Sequence, residues 1–349
     1  MPSLKLKKFK EINLKDPIFD SLKKQYKEFS EWFKKKSDEP AYVIETSSGA
    51  LRGFVYLKIE TGEITDVSPS LPAAKRLKVG TFKIIAHGTK LGERVIKKIF
   101  DHAIDENVSE VYVTVFDTHS QLISLFERYG FKEKGSKTTK NGTEKVLLRS
   151  MTDLEDDILS DYPYVHSNGV NKFLLAIYPE YHTNLFPDSI LKTESPDIVT
   201  DISHTNTIHK VYIAKMALTR LKKGDIVIVY RTTDIIGRAR FRSVVTSLCV
   251  VEETRARKSF VSEDAFVEYA APHSVFTEEE LRHLYQENDR LYTLRMTYNA
   301  AFGKRTIRGV LIDEVGLSEQ SRWDLLKLTE DQFAKIIELG KINEGLVVD

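Results

Sequence analysis

Apolar residues recur along this chain with two periods, and the changes from one to the other mark out its elements. Phe19, Leu22, Tyr26, Phe29 and Phe33 follow at intervals of three and four, so a helix capped by Asp16 and running to about Lys36 gathers them on one stripe. Residues 41–46 and 51–60 read as strands with Ser47-Ser48-Gly49 as the turn between them. Residues 61–78, broken by Gly62, Pro69 and Pro72, read as loop. A third strand over about 79–86 leads into a helix to about Asn107, on which Val95, Ile96, Ile99 and Ala103 share a face. Next come a Val- and Tyr-rich strand from Glu110 to Phe116, a short helix over 120–129 stopped by Gly130, and a strand from Phe131. The Asn141-Gly142 turn then returns the chain through Glu144 to Arg149. Helix, three strands, helix, strand, helix and hairpin describe a mixed α/β domain over residues 1–150.

Residues 151–170 are first acidic and then polar, and they read as a linker. Beyond them, 172–178, 209–215, 226–230 and 238–253 are strand-like. Thr277-Glu278-Glu279-Glu280 and Thr329-Glu330-Asp331-Gln332 each open a helix with a capping box, the second stopping at Gly340. The expectation for 171–349 is a mostly β barrel or sheet with added helices. The fold class as a whole is therefore α/β, of the α+β kind.

Composition agrees with two domains. The chain has 349 residues, 41% apolar and 30% charged, enough for sizeable cores at about 150 residues per domain. A single cysteine, Cys249, excludes an intramolecular disulfide and a multi-cysteine zinc site. There is no run of about 18 apolar residues, and the basic start MPSLKLKKFK lacks the apolar core of a secretory signal. The expected compartment is the cytoplasm, without membrane contact. The net charge of +1 conceals an asymmetry: residues 1–150 hold 28 basic and 20 acidic side chains, the remainder 24 and 31. Within that acidic remainder, residues 210–258 hold 12 basic and 4 acidic side chains, a local field suited to a polyanion.

The turn His87-Gly88-Thr89-Lys90-Leu91-Gly92 lies between a strand and a helix. Backbone N–H groups at such a helix start suit a phosphate or pyrophosphate. It is neither a Walker loop nor a G-x-G-x-x-G fingerprint. With the elements that follow it, ending in Leu125-Phe126-Glu127-Arg128-Tyr129-Gly130-Phe131, the segment resembles the pyrophosphate loop of the GNAT acetyltransferases, and the resemblance covers roughly residues 1–150. It implies acetyl-CoA as cofactor, with the amides of 88–92 on its pyrophosphate and the strand ending near Ala86 beside its pantetheine arm. Lys90 replaces the family's middle glycine, and His87 stands where arginine or glutamine is common. Many relatives have a tyrosine at the place of Phe126, to protonate the leaving thiolate; a phenyl ring has no proton to give. His119, where the family often has asparagine near the cofactor, and Tyr129 are the remaining candidates for that acid. Glu45 and Glu60 are candidates for the base that takes the amine's proton.

In the second half, Lys210–Lys215, the Lys223-Gly224-Asp225 turn with the strand to Arg231, and residues 238–253 resemble a PUA-like module of the ASCH and EVE kind. Such modules bind RNA or modified bases, which makes Lys215, Arg231, Arg238, Arg240 and Arg242 candidate nucleic-acid contacts. If 238–253 is one strand, the last three arginines share a face. Tyr230 and Phe241 are stacking surfaces or core. The opposing reading pairs the arginines with acidic residues of the same half. His204 and His209 lack further ligands, so no metal is expected. The combined expectation is an N-acetyltransferase acting on a small-molecule or macromolecular amine, with a second domain that holds RNA or a nucleotide-bearing partner. The alternatives are a catalytically weak acetyl-CoA-binding regulatory or nucleic-acid-binding protein, and a second domain that senses a small ligand.

Overall fold

The computed structural model describes residues 3–46, 48–85, 91–187 and 207–348. The chain divides into two compact units, Met1–Asp161 and Tyr162–Asp349. The division falls inside the 151–170 segment. Up to Asp161 that segment is held to the first unit: the Met151 N–H donates to the Ser109 carbonyl, and the buried Asp161 carboxylate accepts the Glu155 and Asp157 N–H groups.

The first unit runs β1 (Ser3–Lys8), α1 (Asp20–Gln25), α2 (Phe29–Lys35), β2 (Pro40–Glu45), β3 (Leu51–Ile64), β4 (Leu71–Ile84), α3 (Leu91–Asp105), β5 (Glu110–Phe116), α4 (Ser120–Arg128), β6 (Lys132–Thr139) and β7 (Gly142–Ser150). The strands form one sheet in the order β1-β2-β3-β4-β5-β7-β6. All neighbours are antiparallel except β4 and β5, which are parallel.

Two sequence expectations fail here, and one strand was not anticipated. The helix to Lys36 is broken, because Tyr26 is extended between α1 and α2. Leu22, Phe29 and Phe33 join the core around Phe9 and Phe54, and Tyr26, packed at the margin of that core, also meets the Phe116 ring 5.6 Å away. The stretch 61–78 is largely strand, because β3 and β4 form a hairpin of 14 residues per arm. Its outer part carries polar residues on both faces, so little apolar alternation remains to reveal it. The basic start is β1, an edge strand whose lysines 5 and 7 reach Glu45 on β2.

The second unit contains β8 (Val165–His166), β9 (Lys172–Ile177), α5 (Pro179–Leu185), β10 (His209–Ala214), β11 (Ile226–Arg231), α6 (Ala239–Arg242), β12 (Val244–Ala256), α7 (Glu263–Ala270), α8 (Glu278–Glu287), β13 (Tyr292–Ala301), α9 (Arg308–Asp313), β14 (Leu325–Leu328), α10 (Glu330–Leu339) and β15 (Val347–Val348). Its main sheet has the order β10-β13-β12-β11-β9-β14, with β9 and β11 parallel. Both expected capping boxes are present, at Thr277 and Thr329. Cys249 is fully buried on β12, where burial pushes its thiol far above the ordinary range.

One ion pair fixes the root of the parallel contact in the first unit. Arg76, 1% exposed, lies opposite Glu110 in the register, donates to its carboxylate through Nε, and donates to the Gly62 carbonyl through Nη1 at 3.1 Å. Removing one partner of a buried pair costs roughly 3–5 kcal/mol. Glu110 keeps some solvent contact, so Arg76→Ala is expected at the low end, about 3 kcal/mol. Guanidinium unfolding read by Trp32 fluorescence in a Trp323→Phe background measures it.

Candidate functional site

The β4–β5 pairing covers only four residue pairs, Arg76–Glu110 to Val79–Val113. A bulge intervenes there: in the β3–β4 register Tyr56 opposes Thr81 and Leu57 opposes Val79, which leaves Gly80 unmatched. A Cβ on Gly80 would come within 2.7 Å of the Tyr56 ring, so the bulge depends on glycine. Past it, Thr81–Ile84 and Thr114–Phe116 are no longer paired with one another. The opening is a cleft of about 380 Å³, lined by these strands and by Tyr26, Phe29 and Trp32 from the α1–α2 region. A strand edge freed in this way offers backbone N–H and C=O groups to an extended, amide-bearing ligand.

The polar groups of the cleft fall into two sets. On one side, the Tyr112 hydroxyl donates to Glu60 Oε2, Lys58 Nζ donates to Glu60 Oε1 at 2.9 Å, and Lys78 Nζ lies 3.7 Å from the same carboxylate and 5.2 Å from the Tyr112 ring centroid. On the other, the Tyr26 hydroxyl donates to Glu144 Oε1 at 2.6 Å, and Asn141 Nδ2 donates to Glu28 Oε1 at 2.8 Å.

The sequence candidates separate. Ala86, His87, Gly88, Thr89 and Lys90 lie outside the described residues. Leu91 is buried at the start of α3, and Gly92 packs so closely on α4 that a Cβ would meet Leu125 at 2.9 Å. His119 is exposed at the start of α4, lines the cleft, and has Nε2 3.1 Å from the Gln25 amide nitrogen. Phe126 is fully buried against Phe82 and Phe131. Tyr129 is also fully buried, a core ring absent from the cleft lining. Of the two candidate bases, Glu60 lines the cleft, whereas Glu45 is held by Lys5 and Lys7 near the sheet edge. Sequence reasoning missed Tyr26, which lines the cleft, and Tyr112, a buried residue that reaches it only through its bond to Glu60. The first sits in the expected helical stripe and the second in an apolar strand, and nothing local in the sequence sets either apart.

In the second unit the arginine expectation needs correction. Arg238, Arg240 and Arg242 do not alternate along a strand: Arg238 caps the single turn α6, which contains the other two, and β12 starts only at Val244. At helical spacing Arg240 lies off the side that Arg238 and Arg242 share, so the three do not line one face. Arg240 donates from Nη2 to both carboxylate oxygens of Asp313, and Arg242 makes a bidentate pair with Asp234 through Nε and Nη2, in line with the opposing reading for those two. Arg231 is buried, whereas Lys215 is exposed. Tyr230 is buried and Phe241 is 70% exposed. His209 is buried with Nδ1 2.6 Å from Glu252, and His204 lies outside the described residues.

No family model and no curated protein matches the chain. Among solved structures it is similar to the N-acetyltransferase PseH of Campylobacter jejuni in complex with acetyl coenzyme A. The identity is 17% and the TM-score 0.29, over 43% of this chain and 100% of that one. It is also similar to an ASCH protein of Zymomonas mobilis, at 12% identity and a TM-score of 0.33, over 48% of this chain and 95% of that one. No helix among the described residues is long and apolar enough to cross a membrane.

The environment of Glu60 sets its charge. Burial alone would raise its carboxyl, but the hydrogen bonds from Tyr112 and Lys58, with the Lys78 charge, outweigh burial and hold it below the ordinary glutamate value. Burial, then the bond to Glu60, pushes the Tyr112 phenol far up, and burial draws Lys78 below the ordinary lysine value. Because the folded carboxyl is depressed, its contribution to stability is complete above the unfolded value and is lost as pH falls through the folded one. Tyr112→Phe removes the largest lowering influence. The Glu60 carboxyl should then titrate at higher pH, and this loss should begin at higher pH, as followed by carbon NMR of the side-chain carboxyl.

Proposed function

We propose that the first unit is an acetyl-CoA-dependent N-acetyltransferase whose acceptor amine enters the cleft between β4 and β5. The observation that carries this reading is the parting of two parallel strands after Val79 and Val113, beside a freed β4 edge. Bound acetyl-CoA would supply an acyl group as a thioester. The residues fit it in two ways: the Thr81–Ile84 edge presents backbone groups toward an amide-bearing arm, and the cleft walls are apolar at Val79, Val113 and Phe116. Glu60, ionised at neutral pH, is the proposed base, taking the amine's proton directly or through one water. His119 at the cleft mouth is the proposed proton donor to the departing thiolate; Tyr129, a core ring, is not assigned that role.

Calorimetry is expected to show one saturable acetyl-CoA site in the micromolar range or tighter. Glu60→Gln should lower turnover of a responsive primary amine by about 10²–10⁴-fold while leaving acetyl-CoA affinity unchanged. No heat at millimolar acetyl-CoA would end the reading.

For the second unit we propose an RNA or nucleotide-bearing partner held at the α6 turn. The exposed Phe241 ring beside the exposed Arg238 supports this, since a free ring next to a cation suits a base and its phosphate. Lys215 is a further proposed contact. Arg238→Glu combined with Phe241→Ala should weaken binding of single-stranded RNA. It should also lower the salt slope of log K by about 0.7–0.9 for each phosphate the protein no longer neutralises, read by fluorescence anisotropy across a salt series.

A further inference from the structure

The cleft of the first unit holds a second set of carboxylates that the chemistry proposed at Glu60 does not use. Glu144, on β7, is 5% exposed and lines the cleft. Its Oε1 accepts from the Tyr26 hydroxyl at 2.6 Å; its Oε2 has no hydrogen bond among the described residues and is not sealed from solvent. Glu28 belongs to the same set. Burial, then the bond to Glu144 and the charges of both Glu144 and Glu28, push the Tyr26 phenol far above its ordinary value. Two carboxylates thus act on one hydroxyl that stays a neutral donor.

Charge on this side of the cleft is not balanced. Every lysine that lines the cleft has a carboxylate partner: Lys36 meets Glu39 at 2.7 Å, Lys137 meets Asp66, and Lys58 and Lys78 lie 2.9 and 3.7 Å from Glu60. Glu144 has no ion pair among the described residues. Glu28 has one, 3.5 Å from Lys140, whose side chain is 72% exposed and therefore well screened. A buried carboxylate without a counter-charge is costly, so this side calls for a cation. The rings there suit one, since Tyr26 and Phe116, 5.6 Å apart, both line the cleft with Trp32.

The strand register relates this set to Glu60. Tyr112, which holds Glu60, and Phe116, which lies opposite Glu144, are four residues apart on β5 and share a face. Four residues of strand span about 13 Å. A cation held at Glu144 is therefore a different group from the amine that gives its proton to Glu60, and one extended molecule can carry both.

We infer that the acceptor is an amine carrying a second cationic group, in its simplest form a diamine, with that second cation held by Glu144 and Glu28 beside Tyr26. The inference rests on the acyl-transfer reading above for which amine reacts, while the binding it describes does not need acyl transfer.

Calorimetry on the full chain without acetyl-CoA tests it, with three probes matched in length: α,ω-diaminooctane, octylamine and ω-aminooctanoate. The diamine is expected to bind at one site about tenfold or more tighter than octylamine, the gain expected for a hydrogen bond between charged groups. The carboxylate-bearing probe should bind more weakly than octylamine. Glu144→Gln should remove most of the diamine's preference over octylamine. Glu28→Gln, at a partly exposed position, should reduce it and keeps the test readable if Glu144→Gln does not fold. With acetyl-CoA present, the ratio of kcat/KM for the diamine to that for octylamine should fall in the same variants. Absence of acetyl transfer with the binding preference intact would overturn the acyl-transfer reading and leave the dication site standing. The inference itself is overturned if octylamine or ω-aminooctanoate binds as tightly as the diamine, if none of the three binds, or if the preference survives both substitutions.

Discussion

The first unit depends on a parallel contact that is only four residue pairs long. Arg76 and Glu110 hold one end of it, and the Gly80 bulge ends it at the other. If the pairing continued, β4 and β5 would close on each other and the cleft would be filled by ladder hydrogen bonds. Because it stops, one strand edge is left without a partner inside the sheet rather than at its rim. A sheet normally protects an open edge; here the opening is bordered by a wall of aromatic rings, Tyr26, Phe29 and Trp32, and by two hydrogen-bonded carboxylate sets.

The broken helix serves the same opening. At the extended Tyr26 the ring packs at the margin of the core that Leu22 and Phe29 join, meets Phe116, and sends its hydroxyl to Glu144. The cleft therefore has one wall from the sheet and one from a segment whose helical period is interrupted. The charge on Glu60 follows from the same arrangement, since β3, β4 and β5 each contribute one of its neighbours, Lys58, Lys78 and Tyr112.

Elements with a strong local signal were legible in the sequence. The β5 strand, α4 with its left-handed Gly130, the Asn141-Gly142 turn and both capping boxes needed only short-range patterns. Elements whose pattern is set by distant packing were not. The outer β3–β4 hairpin carries polar residues on both faces, β1 alternates lysine with leucine in a stretch given no element, and β13 pairs with strands far away in sequence. The site was legible in the same uneven way. Glu60 and His119 were named through the family resemblance, and both line the cleft. Tyr112 and Tyr26 were missed because a phenol in an apolar run looks like core until its hydroxyl partner is known. The arginines at 238–242 misled for the converse reason: an alternating charge pattern has strand meaning only where the backbone is extended, and here it makes a helical turn closed by two acidic partners.

The buried Cys249 makes the chain its own chemical reporter. It is the only thiol in the sequence and lies in the middle of the second unit's sheet, so a thiol reagent reaches it only when that sheet opens. The rate of its modification therefore measures opening of the second unit alone, because the first has no cysteine to contribute. While the sheet stays closed the protein is silent toward such reagents, and any free thiol that appears in a reaction mixture has come from elsewhere.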